Sequence, residues 1–343
     1  MAATYRRSRR WILQGTLGLA GLGLLAGCGT LLPQAQQPMK LARIGLLALA
    51  RTDDPARVRL TEALQQGLRE HGWVEGQTIV IDYRSEEGRS DQLPALAAEL
   101  VRLGPDVLVA AGGSPAVRAA RDATRTIPIV VPFFGGDPVA DGLAASLARP
   151  GGNVTGLSNI APELSGKRLE LLKEVVPGLS RVAVVWNATS PTAAAEWRET
   201  QAAAQVLTVR LLSLAVRGPD DFESAFEAAI GEAPDALITV LDPITFTYRT
   251  RIIDFAAKSR LPTLYGQREF ADDGGLMVYG PNLRDMMRRA ADYVDKILKG
   301  ANPAELPIER PMRFDFIINL GTAQALGLTM PQSVLMQATE VIE

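Results

Sequence analysis

The sequence predicts an α/β protein built as two doubly wound parallel-sheet lobes with a hinge and a central cleft, and three observations carry the prediction. Short apolar runs alternate with longer amphipathic ones from residue 42 onward, the rhythm of parallel strands joined by crossover helices. The same order of runs then occurs a second time. The chain of 343 residues also exceeds the roughly 250–300 at which one hydrophobic core stops growing and a second forms.

The first unit starts with RIGLLAL (43–49), followed by a helix near 57–71 and the strand TIVIDYR (78–84). A helix over 92–103, the strand PDVLVAAG (105–112), a helix over 115–123 and the strand IPIVVPF (127–133) continue it, and GNVTGLS (152–158) closes it. In the second unit RVAVVWN (181–187) answers RIGLLAL, PDALITVLD (234–242) answers PDVLVAAG with the same Pro-Asp start, and LPTLYG (261–266) answers IPIVVPF. Right-handed crossovers make each unit an open sheet, and in such sheets ligands bind beyond the C-terminal strand ends. Short loops rich in Gly, Ser, Asn and Asp fall there: 50–54, 112–115, 135–138, 187–191, 242–243 and 265–269. They predict one site seen from two sides.

Ahead of these units, residues 1–27 combine Arg6, Arg7, Arg9 and Arg10 with an apolar stretch, and small Ala26 and Gly27 lead into Cys28. This is the pattern of a signal peptide ending at a lipoprotein cleavage site; a simple transmembrane anchor is the competing reading. SRRWILQ (8–14) matches the twin-arginine export pattern. Cys28 would carry the lipid, and 28–41, with Pro33 and Pro38 around a glutamine-rich patch, would serve as the tether.

Cys28 is the only cysteine, so its lipidation would leave no thiol for a disulfide, for catalysis or for a metal. The single histidine, His71, sits at a predicted helix end, where a cation near the last carbonyls is its ordinary role. Formal net charge is −2, and without the leader's four arginines it becomes −6, with no basic run; nucleic acid is not an expected partner. No GxGxxG turn follows the first strand, and GxSxG, P-loop and HExxH patterns are missing from the sequence. Neither enzymatic turnover nor a cofactor nor a metal is expected.

The candidate site residues come from the loops. Gly112, Gly113, Ser114 and Pro115 leave a strand and open a helix whose free N–H groups suit a ligand carboxylate, although Ser114 fits equally well as an N-cap. Asp137 could accept an ammonium group from the same ligand, with an Asx-turn before Pro138 as its alternative. Asn187, Ser190 and Thr192 repeat the first pattern in the second unit and Asp242 mirrors Asp137; helix caps are the alternative there. Phe133, Phe134, Trp186, Phe246 and Tyr265 lie at strand ends where a ring could wall an apolar pocket, with Trp186 and Tyr265 preferred.

Several stretches carry a resemblance: GLREHGWVEGQTIVIDYR, LARPGGNVTGLS, ELSGKRLELLKEVVPGLSRVAVVWN, GGLMVYGPNLRDMMRRAADYVDKILKGANPAELPIERP and INLGTAQALGLTMP. From about Ala42 to the C-terminus the chain resembles the ABC transporter substrate-binding protein family that includes tryptophan- and other amino-acid-binding lipoproteins. The resemblance implies the type I periplasmic-binding-protein fold, with hinge crossings near 155–158, 278–282 and 306–311. It also implies a division into a first lobe of 42–156 plus 283–307 and a second of 157–282 plus 308–343, with the helix 283–298 returning to the first. The implied function is extracytoplasmic capture of a small ligand by a lipid-anchored monomer, and its delivery to an ABC permease and its ATPase. A sensory module docking on a chemoreceptor or sensor kinase is the alternative.

Overall fold

Strict alternation along the strands buries both faces of two sheets. In the computed structural model, which describes residues 41–48, 54–87 and 89–343, the first sheet contains β1 (Ala42–Ala48), β2 (Ile79–Ser85), β3 (Val107–Ala111), β4 (Ile129–Phe134) and β5 (Val154–Ser158). Ile44, Leu46, Val107 and Val109 pack on one face, and Leu47, Leu108 and Ala110 on the other. Such doubly buried strands read as continuous apolar runs, as RIGLLAL does. The predicted signal peptide, the lipidation site Cys28 and nearly all of the tether lie outside the described residues.

The second sheet contains β6 (Arg181–Asn187), β7 (Arg210–Val216), β8 (Ala236–Thr239), β9 (Thr263–Tyr265), β10 (Met277–Pro281), β11 (Phe314–Asn319) and β12 (Glu340–Ile342). The helices of the first half are α1 (Pro55–Glu70), α2 (Leu93–Arg102) and α3 (Gly113–Ala123). Those that follow are α4 (Ser165–Val175), α5 (Pro191–Leu207), α6 (Asp221–Glu232), α7 (Pro243–Thr247), α8 (Arg249–Lys258), α9 (Arg268–Asp272), α10 (Leu283–Leu298), α11 (Leu320–Leu326) and α12 (Gln332–Leu335). None of the described helices is long and apolar enough to cross a membrane.

The internal repeat is visible in the strand order. The first sheet runs β2-β1-β3-β4-β5, and the second contains β7-β6-β8-β9-β10 in the corresponding places. The shared Pro-Asp start has one role in both. The Arg43 N–H donates to Asp106 Oδ2 at 2.7 Å, and the Arg181 N–H to Asp235 Oδ2 at 2.8 Å, so each aspartate ties its strand to the start of the neighbouring one. The closing strands carry matching glycines. At Gly156 (φ +141°) a Cβ would lie 1.9 Å from the Val131 carbonyl oxygen of β4, and at Gly280 it would lie 2.0 Å from the Gly266 carbonyl oxygen beyond β9. Only glycine permits these approaches.

One departure from purely parallel sheets is found. β11 pairs antiparallel with β10, because the chain leaves the second sheet after β10, runs α10 along the first lobe, and returns to the second sheet from there. The apolar face of α10, including Met286, Ala290, Ala291 and Val294, joins the core of β1 and α1. Gly67 of α1 lets the helices meet closely, since a Cβ there would lie 2.3 Å from the Arg288 carbonyl oxygen. Two of the passages between sheets run side by side: the Glu309 N–H donates to the Gly156 carbonyl at 3.1 Å and the Ser158 N–H to the Glu309 carbonyl at 2.8 Å. Beside them the Thr155 hydroxyl donates to the Leu306 carbonyl at 2.8 Å.

Candidate ligand-binding site

A cavity of about 130 Å³ lies between the two lobes, at the C-terminal ends of their strands. Its size is of the order of an engineered cavity that binds one benzene ring, roughly 150 Å³. The first lobe contributes Leu46 and Ala48 of β1, the turn 111–115, Phe133 and Gly135; the second contributes Ser190, Thr192, Leu241, Asp242, Phe246, Gln267 and Glu269. Five of the six loops singled out from the sequence therefore reach it. In the remaining loop, 50–54, residues 50–53 lie outside the described residues.

Gly113, Ser114, Ser190 and Asp242 line the cavity. Gly113 takes a φ of +63° at the start of α3 and faces Pro243 of the opposite lobe, where a Cβ would lie 3.6 Å from the proline ring. Gly112 is the N-cap of this helix, so Ser114 does not cap it. Its hydroxyl instead lies 3.2 Å from the Thr192 hydroxyl across the cleft. Ser190 caps α5, accepting from the Ala193 N–H at 3.3 Å. Asp242 caps α7, accepting from the Ile244 N–H at 2.9 Å, and burial pushes its carboxyl above the usual range.

Five sequence candidates stand elsewhere. Asn187 sits behind Asp242, donating to it at 3.0 Å while its own oxygen accepts the Thr189 N–H and hydroxyl; it orients Asp242 but does not line the cavity. Asp137 is exposed and accepts the Val139 N–H at 2.8 Å, the Asx-turn alternative. Trp186 stacks on Trp197 with ring centroids 5.6 Å apart and donates its indole N–H to Ser213 at 2.8 Å. Tyr265 is fully buried against Phe270 in the core of the second sheet. Both rings still belong to their strands, where side chains project onto the sheet's faces and not past its end. Phe134 is likewise core, whereas Phe133 and Phe246 reach the cavity. His71 is the C-cap of α1, with Nε2 2.7 Å from Asp292 and no place in the lining.

Sequence reasoning missed the strongest charges. Arg57 lines the cavity from the first turn of α1, is 9% exposed, and has Nε and Nη1 without hydrogen-bond partners among the described residues; Glu87 approaches Nη1 only to 4.0 Å. Burial depresses its guanidinium pKa. A cation in the first turn opposes the helix dipole, and that conflict is a signal the sequence did carry. Opposite, Glu269 is 3% exposed and burial raises its carboxyl pKa, while Gln267 keeps its side-chain oxygen buried without a partner among the described residues. Leu283 and Met287 come from α10, more than a hundred residues beyond the other first-lobe contributors in the chain.

The cavity thus has a buried cation on one lobe, two buried carboxylates on the other, and an apolar wall from Leu46, Leu60, Phe133, Phe246, Leu283 and Met287. Such an arrangement suits a small molecule with separated charges and an apolar body.

Comparison with known proteins agrees with this fold. The family model of ABC transporter substrate binding proteins matches residues 48–342. A tyrosine-binding protein of Clostridioides difficile is 22% identical over 91% of this chain and 90% of its own. A solved structure of a conserved domain protein from Vibrio cholerae superposes with a TM-score of 0.81 at 29% identity, covering 88% of this chain and all of that one. An ABC domain in complex with L-Trp from Streptococcus pneumonia also gives 0.81, at 26% identity and the same coverage. The chain belongs to the ABC transporter substrate-binding protein family.

Proposed function

We propose that this protein is the extracytoplasmic solute-binding component of an ABC importer, that its solute is an amino acid held between the lobes, and that it delivers this solute to a permease. The observation that carries the reading is the distribution of charge in the cavity: buried Arg57 on the first lobe, buried Asp242 and Glu269 on the second. A carboxylate directed at Arg57 and the turn 112–114, with an ammonium directed at the two acids, satisfies groups that are costly to bury alone. Phe133 and Phe246 then face the side chain. The relatives that bind tyrosine and L-Trp support an aromatic amino acid.

A thermal-shift screen of the purified protein against the twenty amino acids, sugars and nucleosides tests this. At a hundredfold excess over its dissociation constant, a ligand should add roughly 2.7 kcal/mol of stability. Stabilisation by tyrosine or tryptophan is the expected result; stabilisation by sugars or nucleosides alone would overturn the reading. The leader 1–27 and Cys28 support export and lipid anchoring. Replacing Cys28 by Ser is accordingly expected to move the protein from the membrane fraction to the soluble one, and continued membrane association would count against the anchor.

A further inference from the structure

Phe246 forms part of the cavity wall, and the guanidinium of Arg249 lies over its ring with the central carbon 4.7 Å from the centroid. Arg249 is held from several directions. Its Nε donates to Asp273 at 2.7 Å, and its Nη1 donates to the Phe246 carbonyl at 3.2 Å and to Asp54 at 3.2 Å. The last bond crosses the cleft. Asp54 belongs to the first lobe, where its other oxygen caps α1 by accepting the Ala56 N–H at 2.8 Å. The two side chains are 13% and 15% exposed, so solvent screens their attraction far less than that of a surface pair. The neighbouring contacts of Arg59 and Arg284 with Asp272 also cross the cleft, but at 3.4 Å and with the arginines more than a third exposed.

A bond that exists only when the lobes meet adds nothing to either lobe alone; it shifts the balance between closed and open arrangements. Its reversibility is built in. When the lobes part, Arg249 keeps Asp273 and Asp54 keeps the Ala56 N–H, so neither charge is stranded in an apolar place.

We infer that Arg249 is a positioning residue that couples the aromatic wall to lobe closure, holding Phe246 toward the ligand while clasping Asp54 across the cleft. This rests on the cavity being the ligand site. Occupancy that steadies Phe246 also steadies Arg249 in the orientation that reaches Asp54, and the clasp in turn slows escape of the ligand.

The test needs one readout without ligand and one with it. The Ser114 and Thr192 hydroxyls are 3.2 Å apart across the cleft, so cysteines at these two positions, in the full chain with Cys28→Ser, should form a disulfide only in the closed arrangement. In that background Arg249→Gln and Asp54→Asn, the latter keeping an N-cap residue, are each expected to slow cross-linking roughly tenfold, and the double variant to slow it no further. In the protein without the added cysteines, the same substitutions should speed dissociation of L-tryptophan by about the same factor in stopped flow, with association little changed. Unchanged cross-linking, or two effects that multiply, would overturn the clasp. If the unaltered protein does not bind L-tryptophan, that failure belongs to the ligand reading, and the cross-linking rates alone decide the clasp.

Discussion

Replacing Arg57 by methionine is expected to weaken ligand binding by about a hundredfold or more while leaving the folded protein as stable as before, or more so. The two halves of this expectation have one cause. A guanidinium that is 9% exposed, with two nitrogens lacking partners among the described residues, is a charge moved out of water without full compensation. Methionine fills the space of the stem and removes that cost. In the complex a carboxylate would satisfy the same nitrogens. Truncating one partner of a buried, hydrogen-bonded charge pair typically costs roughly 2–5 kcal/mol of affinity, and about 2.7 kcal/mol is a hundredfold. Calorimetric titration and denaturant unfolding of the same preparation separate the two halves. An Arg57→Met protein that unfolds more easily but binds as before would show the residue to be structural.

Arg168→Met should give the largest loss of stability, and one that depends on pH. Arg168 and Glu196 are each 1% exposed and bonded to one another, and Arg168 also donates to the Tyr279 carbonyl at 2.9 Å. Burial pushes the Glu196 carboxyl up to about 7 even though Arg168 pulls the other way. Between the ordinary value of 4.5 and about 7 the folded protein therefore holds a proton that the unfolded chain has released. Stability contributed through this group falls as pH rises across that window, by at most about 1.4 kcal/mol per unit, and levels off above it. Without Arg168 burial drives the Glu196 carboxyl further up, so at pH 8 it must either stay charged without its counter-ion or take up a proton that the unfolded chain does not hold, and the loss should be about 3–5 kcal/mol. At pH 5.5 the protonated carboxyl tolerates the apolar neighbour better, so the loss should be smaller. Urea unfolding at the two values checks this. A loss equal at both would mean that Glu196 is ionised throughout, and Arg168→Met with Glu196→Leu should recover most of the stability.

What the sequence disclosed about the fold came from periodicity, which depends only on which face of an element is buried. The runs 43–49, 181–187 and 283–298 all fall on elements within a residue or two of their bounds, and the duplicated Pro-Asp start marks equivalent strands in equivalent places. Strand ends were less legible. Trp186 and Tyr265 read as strand-end residues whose rings could wall a pocket, yet the pleat continues through both and turns their rings onto the sheet's faces. Asp137 had two physical options, a ligand's ammonium or its own chain two residues on, and the local bond is the one formed. Arg57 and Glu269 were harder still. Arg57's place in the first turn of α1 was the one local sign; the burial of both is set by the opposite lobe and by α10, and no local pattern records contacts made by a helix so distant in the chain.

The placement of α10 has a further consequence, for the order in which the molecule is made. As the polypeptide leaves the ribosome, β1 to β5 emerge first, but α10, which covers their apolar face along with α1, is translated only after β6 to β10. Until then Ile44, Leu46, Val107 and Val109 lack one of the helices that shields them, while the first five strands of the second sheet form from one uninterrupted stretch of chain. Closing so long a loop costs entropy that only late contacts repay. The lobe synthesised first thus waits for its last helix until five strands of its neighbour have been made, and during that interval its exposed sheet is the surface most in need of shelter from other nascent chains.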